Sequence, residues 1–310
     1  MRLYNVGIDL LKIISCAGVV FLHFGRGGKI FDLSVPIFMF ASIFLTRKLI
    51  LDGTVVELKK RIQRLYFPFA CWGIIYFVVL CVMESKFNLF DLIMQMTIGV
   101  PANPPLYFMF LLMLNTALLY CVCHFSCWQR SLMVGALVLC ILFQYSGINA
   151  HLVQGLPFHP QHSLGRFVEL FPMAILAYLF SGCSAKGKWL WSIISLLLLI
   201  SFRILGFRLA CPGFSYQGIH LLLGAMTFFS LFVVLGEIVT GKIPDCILNK
   251  VRLFAGLTAG VYYTHLLIGK ILEVPFGRHR GTWEAVIVLV TTSAVVYVVK
   301  KIKRLSWLVT

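Results

Sequence analysis

Ile8-Asp9-Leu10-Leu11-Lys12, followed ten residues later by His23, places a carboxylate, an ammonium and an imidazole in one apolar stretch. An ionisable side chain deep in a membrane span costs about 2.5–3.5 kcal/mol on insertion scales, so each such group needs a reason. On a helix, Lys12 and His23 are eleven residues apart, which brings them onto nearly one face at a separation of about 16 Å along the axis. They are too distant to touch, yet they can line one passage at two depths. An imidazole is the side chain best suited to gain or lose a proton near neutral pH. Asp9 and Lys12 are three residues apart and can neutralise each other. The plainer readings are a helix-end ion pair with a snorkelling lysine, and an interfacial histidine at the far end of the span.

A second basic feature is Lys59-Lys60-Arg61-Ile62-Gln63-Arg64, immediately before an apolar run. Arg61 and Arg64 share a helix face and can fork onto phosphate groups, a task for which a guanidinium is better shaped than an ammonium. Positive-inside decoration and contact with anionic lipid explain the same residues. His265 falls about 18 Å along its apolar run, counted from residue 253, and is therefore expected in the outer half of the membrane with His23. The two imidazoles can then share one cavity, or His265 can bond to a neighbouring helix. Ser42, in the middle of another run, can hydrogen-bond an adjacent helix.

Two further clusters point less clearly to chemistry. Cys121, Cys123, His124 and Cys127 are zinc-ligand types, but the spacing C-x-C-H-x-x-C is not that of a standard site, and no metal is expected. His151, His159 and His162 fall in an expected outer loop, where histidines are usually solvated bystanders. The ten cysteines form no paired framework, so disulfides are not implied.

The elements that must hold these groups are membrane helices. Hydrophobic residues make up 60% of the 310 positions and charged residues 12%, too little polar surface to cover a water-soluble globule of this size. Apolar runs occur at 7–24, 33–49, 65–83, 106–123, 131–146, 167–181, 189–205, 218–239, 253–272 and 283–299. In lipid these must be helices, because no water is present to satisfy an unpaired backbone. The expectation is an all-α integral membrane protein with about ten transmembrane helices in one bundle, forming a single domain over 1–310 without a soluble extracytoplasmic domain. The first run carries Asp9 and Lys12 and is followed by no small-residue cleavage site, so it reads as a retained span rather than a signal peptide. Asn88 to Gly99 is too short to cross and is expected to lie at the interface.

The formal charge of +16 is scattered in short clusters at the ends of apolar runs, which argues against a nucleic-acid-binding face. With both termini inside, clusters such as Lys59-Lys60-Arg61 and Lys300-Lys301 fall on the cytoplasmic side, as the positive-inside rule requires. The longest expected outer connections contain Pro101, Pro104 and Pro105, and Pro157 and Pro160, and offer room for a large ligand.

Taken together the motifs resemble the acyltransferase family 3 membrane proteins, which acylate sugars of bacterial surface polysaccharides. Ile8-Asp9-Leu10-Leu11-Lys12 with His23 is similar to that family's first-helix signature of an acidic residue, a basic residue and, after ten more, a histidine. Val35-Pro36-Ile37-Phe38-Met39-Phe40-Ala41-Ser42 resembles its V-P-x-F-F-x-x-S-G segment, with Ile43 in place of the glycine. Arg61-Ile62-Gln63-Arg64 resembles its R-x-x-R. Leu106-Tyr107-Phe108-Met109 and Val261-Tyr262-Tyr263-Thr264-His265 resemble its L-W-F-L and Y-L-x-H segments.

The resemblance implies acyl-CoA, usually acetyl-CoA, as a cytoplasmic donor and a sugar hydroxyl of an O-antigen, capsule or exopolysaccharide as acceptor, at the inner membrane. It implies His23 as the catalytic residue, with Lys12 and Asp9 as its companions on the first helix, Arg61 and Arg64 as the donor-site pair, and His265 and Ser42 on the substrate. The pantetheine arm would pass Lys12 and carry the thioester to a neutral His23, acting as general base or as acyl-imidazole. Two rival readings remain: a proton-coupled transporter or flippase for a small solute or lipid-linked sugar, to which intramembrane His, Lys and Asp are also suited, and a non-catalytic organiser of an envelope-assembly complex.

Overall fold

A computed structural model of the chain describes residues 4–25, 31–84, 88–98, 106–125, 128–145, 158–204, 219–276 and 281–309. Among the described residues it is helical throughout, with no strand. The helices are α1 (Val6–Phe24), α2 (Ser34–Asp52), α3 (Val55–Glu84), α4 (Leu89–Ile98), α5 (Tyr107–Phe125) and α6 (Gln129–Tyr145), then α7 (Phe158–Ser181), α8 (Ala185–Ile204), α9 (Ile219–Val239), α10 (Asp245–Ala255), α11 (Thr258–Phe276) and α12 (Thr282–Lys301). A short C-terminal 3-10 helix, Ser306–Val309, follows α12.

Among the described residues the apolar runs fall on helices, the run at 253–272 on two of them, and the 89–98 segment forms its own short one. Among the described residues six of the helices are long and apolar enough to cross a membrane, and the bent pair α10 and α11 makes a seventh if taken as one span, where the apolar runs led to an expectation of about ten. This defines a multi-pass, all-helical membrane protein.

Two boundaries depart from the apolar pattern in ways that bear on function. The third run begins at residue 65, but α3 starts at Val55 and carries the whole basic cluster on the same rod. Its start is a capping box: the Thr54 N–H donates to the Glu57 carboxylate at 2.8 Å and the Glu57 N–H to the Thr54 hydroxyl at 3.3 Å. The run at 253–272 is not one rod. It is broken at Gly256, whose N–H closes α10 on the Arg252 carbonyl at 2.9 Å, and α11 departs from α10 by 47°. A glycine after a last turn that carries a basic residue is a helix stop, even where hydrophobicity continues across it.

The first helix occupies the middle of the assembly. It packs against α2, α9, α10, α11 and α12. Asn5 caps it, accepting from the Gly7 N–H at 2.9 Å and donating to the Val233 carbonyl of α9 at 2.8 Å. At its far end the Gly281 N–H donates to the Phe24 carbonyl at 3.1 Å, which ties the start of α12 to the end of α1. The backbones approach closely where small residues allow it: a side chain on Gly18 would overlap Ser34 of α2, and one on Gly269 would overlap the Phe24 ring.

Candidate active site

Helices α1 and α11 run side by side in register. The Cys16 thiol of α1 donates to the carbonyl of Thr258, the first residue of α11, at 3.6 Å. Seven residues further along each helix, about 10 Å of rise, stand His23 and His265, with ring centres 5.3 Å apart and planes inclined at 39°. The level of His265 relative to His23 does not depend on its distance from residue 253. His265 lies only seven residues into α11, and it reaches the level of His23 because α11 begins beside the middle of α1.

His265 is fully buried, whereas His23 is half-buried. The Nδ1 of His265 is 3.1 Å from the Val261 carbonyl and 2.9 Å from the Tyr262 carbonyl. Carbonyl oxygens only accept, so Nδ1 carries a proton, and in the neutral ring the lone pair belongs to Nε2. Nε2 has no hydrogen-bond partner among the described residues. The site thus contains a buried ring nitrogen, fixed as an acceptor, beside a second imidazole that is more open.

Aromatic rings wall the pair. Phe24 meets His265 edge-on at 6.4 Å and Tyr262 lies at 6.1 Å. Behind them Phe38 of α2, Phe108 of α5 and Tyr262 form a triangle with ring separations of 5.9, 5.6 and 6.3 Å. The V-P-x-F, L-Y-F-M and Y-Y-T-H segments, far apart in sequence, therefore converge on one aromatic wall next to the histidines. Ile43, where the resembling pattern has glycine, is completely buried in the core.

The Tyr76 hydroxyl of α3 reaches into α11. It donates to the Tyr263 carbonyl at 2.8 Å and accepts from the Leu267 N–H at 3.1 Å, gripping the backbone on both sides of His265. Nothing in the sequence singles out Tyr76, because an aromatic in an apolar run is indistinguishable from core.

At the other end of α3, Arg61 turns into the bundle. Its guanidinium donates to the Thr46 hydroxyl at 3.4 Å, and Thr46 donates onward to the Ser42 carbonyl at 2.6 Å. Arg61 also interacts electrostatically with Arg64 and with the Tyr263 phenol. Among the described residues it has no carboxylate partner, and its Nε has no acceptor. A partly buried guanidinium with an adjacent like charge and no counter-charge among the described residues is left uncompensated. Arg64 is exposed and faces a different space: a groove of about 830 Å³ lined by Lys60, Gln63, Arg64, Phe67, Pro68 and Trp307. Ser42 takes part through its backbone carbonyl.

Lys12 is paired with Asp9 at 3.1 Å. Nearby, Arg252 of α10 lies over the Tyr4 ring at 3.9 Å, and burial, followed by the Asp9 charge, pushes the Tyr4 phenol up to about 12. A mostly hydrocarbon-lined cavity of about 530 Å³ opens beside the stretch between Lys12 and His23, bounded by Ile13, Cys16 and Ala17 of α1, the α10–α11 junction and α12.

Other residues with candidate chemistry have ordinary roles or lie elsewhere. The Cys123 thiol donates to the Tyr178 hydroxyl at 3.1 Å, and His124 donates from Nδ1 to the Tyr120 carbonyl at 3.0 Å while stacking on that ring. Cys127, His151, Pro101, Pro104, Pro105 and Pro157 lie outside the described residues. His159, His162 and Pro160 fall in the opening turns of α7 rather than in a loop. Sequence reasoning also passed over Glu169 and Asn115, buried polar groups of α7 and α5. The intramembrane carboxylate was a usable signal that went unused.

The chain matches the family model of acyltransferase family 3, described as an acyltransferase domain, over residues 5–301, and it belongs to that family. Membership together with the fold defines a membrane acyltransferase. No curated protein and no solved structure gives a match.

Proposed function

We propose that this chain moves an acyl group, usually acetyl, from cytoplasmic acyl-CoA to a sugar hydroxyl of a bacterial envelope glycan. In this reading it has ten spans with both termini inside, in the inner membrane. The observation that carries the proposal is the His23–His265 pair at 5.3 Å, with one ring held as an acceptor.

The donor arrives at the basic end of α3. Arg61 and Arg64 hold its phosphates, and the arm passes the level of Lys12, whose charge Asp9 balances. At His23 a neutral imidazole removes the proton of the sugar hydroxyl as the oxygen attacks the thioester carbonyl. The carbon–sulfur bond breaks, and the departing thiolate takes the proton back from the imidazolium. Alternatively His23 attacks the thioester carbonyl and takes the acyl group as the carbon–sulfur bond breaks, and the sugar oxygen then displaces the imidazole as the hydroxyl proton passes to the departed thiolate. His265, through Nε2, accepts from the acceptor hydroxyl and orients it.

Membranes containing the chain, incubated with radiolabelled acetyl-CoA, are expected to label an envelope glycan. Translocation of a glycan or solute without label would identify a transporter instead. The mass increment on the glycan identifies the acyl group and its host polymer together.

A further inference from the structure

The groove beside Arg64 has a wall that the active-site account does not use. The 3-10 helix Ser306–Val309 folds back over the basic end of α3 and packs against α3, α11 and α12. Two contacts pin it there. The Trp72 indole N–H donates to the Leu308 carbonyl at 2.9 Å, and Val309 is almost wholly buried over Gly260, where an added Cβ would meet the Val309 side chain at 2.8 Å. With the two residues that follow it fixed, Trp307 is left 44% exposed, facing the groove across from α3.

Across the groove, Lys60 and Arg64 are one helical turn apart, and Phe67 and Pro68 continue the same face. Phe67 is 56% exposed. The groove therefore offers two cations and two accessible aromatic rings around one space. Two cations alone would suit any phosphate. Added to an indole held from behind by two anchors, they suit a phosphate-bearing ligand with a flat apolar ring, which stacks on the indole while the cations take its phosphates.

We infer that this groove is the nucleotide subsite of the donor: the adenine of the 3′-phosphoadenosine end stacks on Trp307, Lys60 holds the 3′-phosphate, and Arg64 holds the pyrophosphate beside Arg61. The inference rests on the acyl-CoA reading above and adds to it a recognition element carried by the C-terminal segment. Arg64 and Arg61 then divide the work. The first receives the nucleotide at the surface, and the second, turned inward onto the Thr46 hydroxyl, marks where the arm enters the bundle.

The test is equilibrium binding of radiolabelled adenosine 3′,5′-bisphosphate and of acetyl-CoA to the detergent-purified full chain. Trp307→Ala is expected to weaken both about tenfold or more, and Trp307→Phe to stay within about threefold of the parent. Lys60→Gln is expected to erase most of the preference for CoA over dephospho-CoA while leaving dephospho-CoA binding unchanged. Thermal unfolding checks that Trp307→Ala keeps its fold; if that variant melts, Trp307→Gln and the Lys60→Gln discrimination decide. Normal nucleotide binding by a folded Trp307→Ala, with binding lost in Arg64→Gln, overturns the subsite and leaves the donor reading standing. Failure of the parent chain to bind acetyl-CoA at all overturns the donor reading itself. Displacement of no nucleotide, but tight retention of phosphatidylglycerol that Lys60→Gln and Trp307→Ala abolish, assigns the groove to a lipid headgroup and likewise overturns the subsite.

Discussion

Cys16 lies against Thr258, its thiol directed at the Thr258 carbonyl at 3.6 Å, and this contact sets the register of α1 against α11. Seven residues on, the same register brings His23 to His265. Small residues let the two backbones come this close, and neither helix contains the site by itself.

His265→Asn keeps a donor near the position of Nδ1, and with it the bonds to Val261 and Tyr262, while removing the acceptor Nε2. If Nε2 orients the acceptor, kcat falls about a hundredfold with little change in melting temperature. A variant that loses both stability and activity would point to a packing role, and His265→Leu is the control that should do so.

Tyr76→Phe removes a hydroxyl that bridges the Tyr263 carbonyl and the Leu267 N–H. The loss leaves buried backbone groups less well satisfied and is expected to cost about 1–3 kcal/mol. Thermal unfolding in detergent should show it, together with a fall in kcat as the turn carrying His265 loosens. An unchanged kcat would mean that Tyr76 braces the fold alone.

Gly269→Val places a branched side chain on the Phe24 ring, one residue from His23. Because α1 is held at both ends, the strain falls on the α1–α11 seam. Activity should drop more than tenfold while the protein still reaches the membrane, and Gly269→Ala should lie between the two. Full activity in Gly269→Val would show that the seam tolerates separation.

Arg61→Met exchanges a half-buried guanidinium that has no carboxylate partner among the described residues for an apolar side chain of similar length. The variant is expected to melt at a higher temperature and to show a donor KM raised about tenfold or more, with kcat changed less. A donor KM equal to that of the parent contradicts the phosphate assignment.

Much of this arrangement is legible in the sequence, and the parts that are not share a cause. The apolar runs mark helix because lipid leaves the backbone no alternative, but among the described residues six helices are long and apolar enough to cross, or seven with the bent pair, where about ten spans were expected. The facing of Lys12 and His23 follows from helical pitch alone. The meeting of the two histidines was one of two open readings, the other being a bond from His265 to a neighbouring helix; what the sequence lacks is the register of the two helices, marked by the contact of Cys16 with Thr258. Gly256 stops α10 inside an unbroken hydrophobic run, which a hydropathy pattern cannot register. Tyr76 and Trp307 were invisible for a related reason. An aromatic residue in an apolar stretch or beside a basic tail looks like core or interface until its neighbour across the bundle is known.

The most direct measurement is the rate of acetyl transfer from labelled acetyl-CoA to glycan in membranes containing either the parent chain or His23→Gln, with both proteins quantified in the bilayer. The account predicts a loss of at least a thousandfold at equal protein. Transfer within about tenfold of the parent would contradict it and remove the imidazole of α1 from the chemistry.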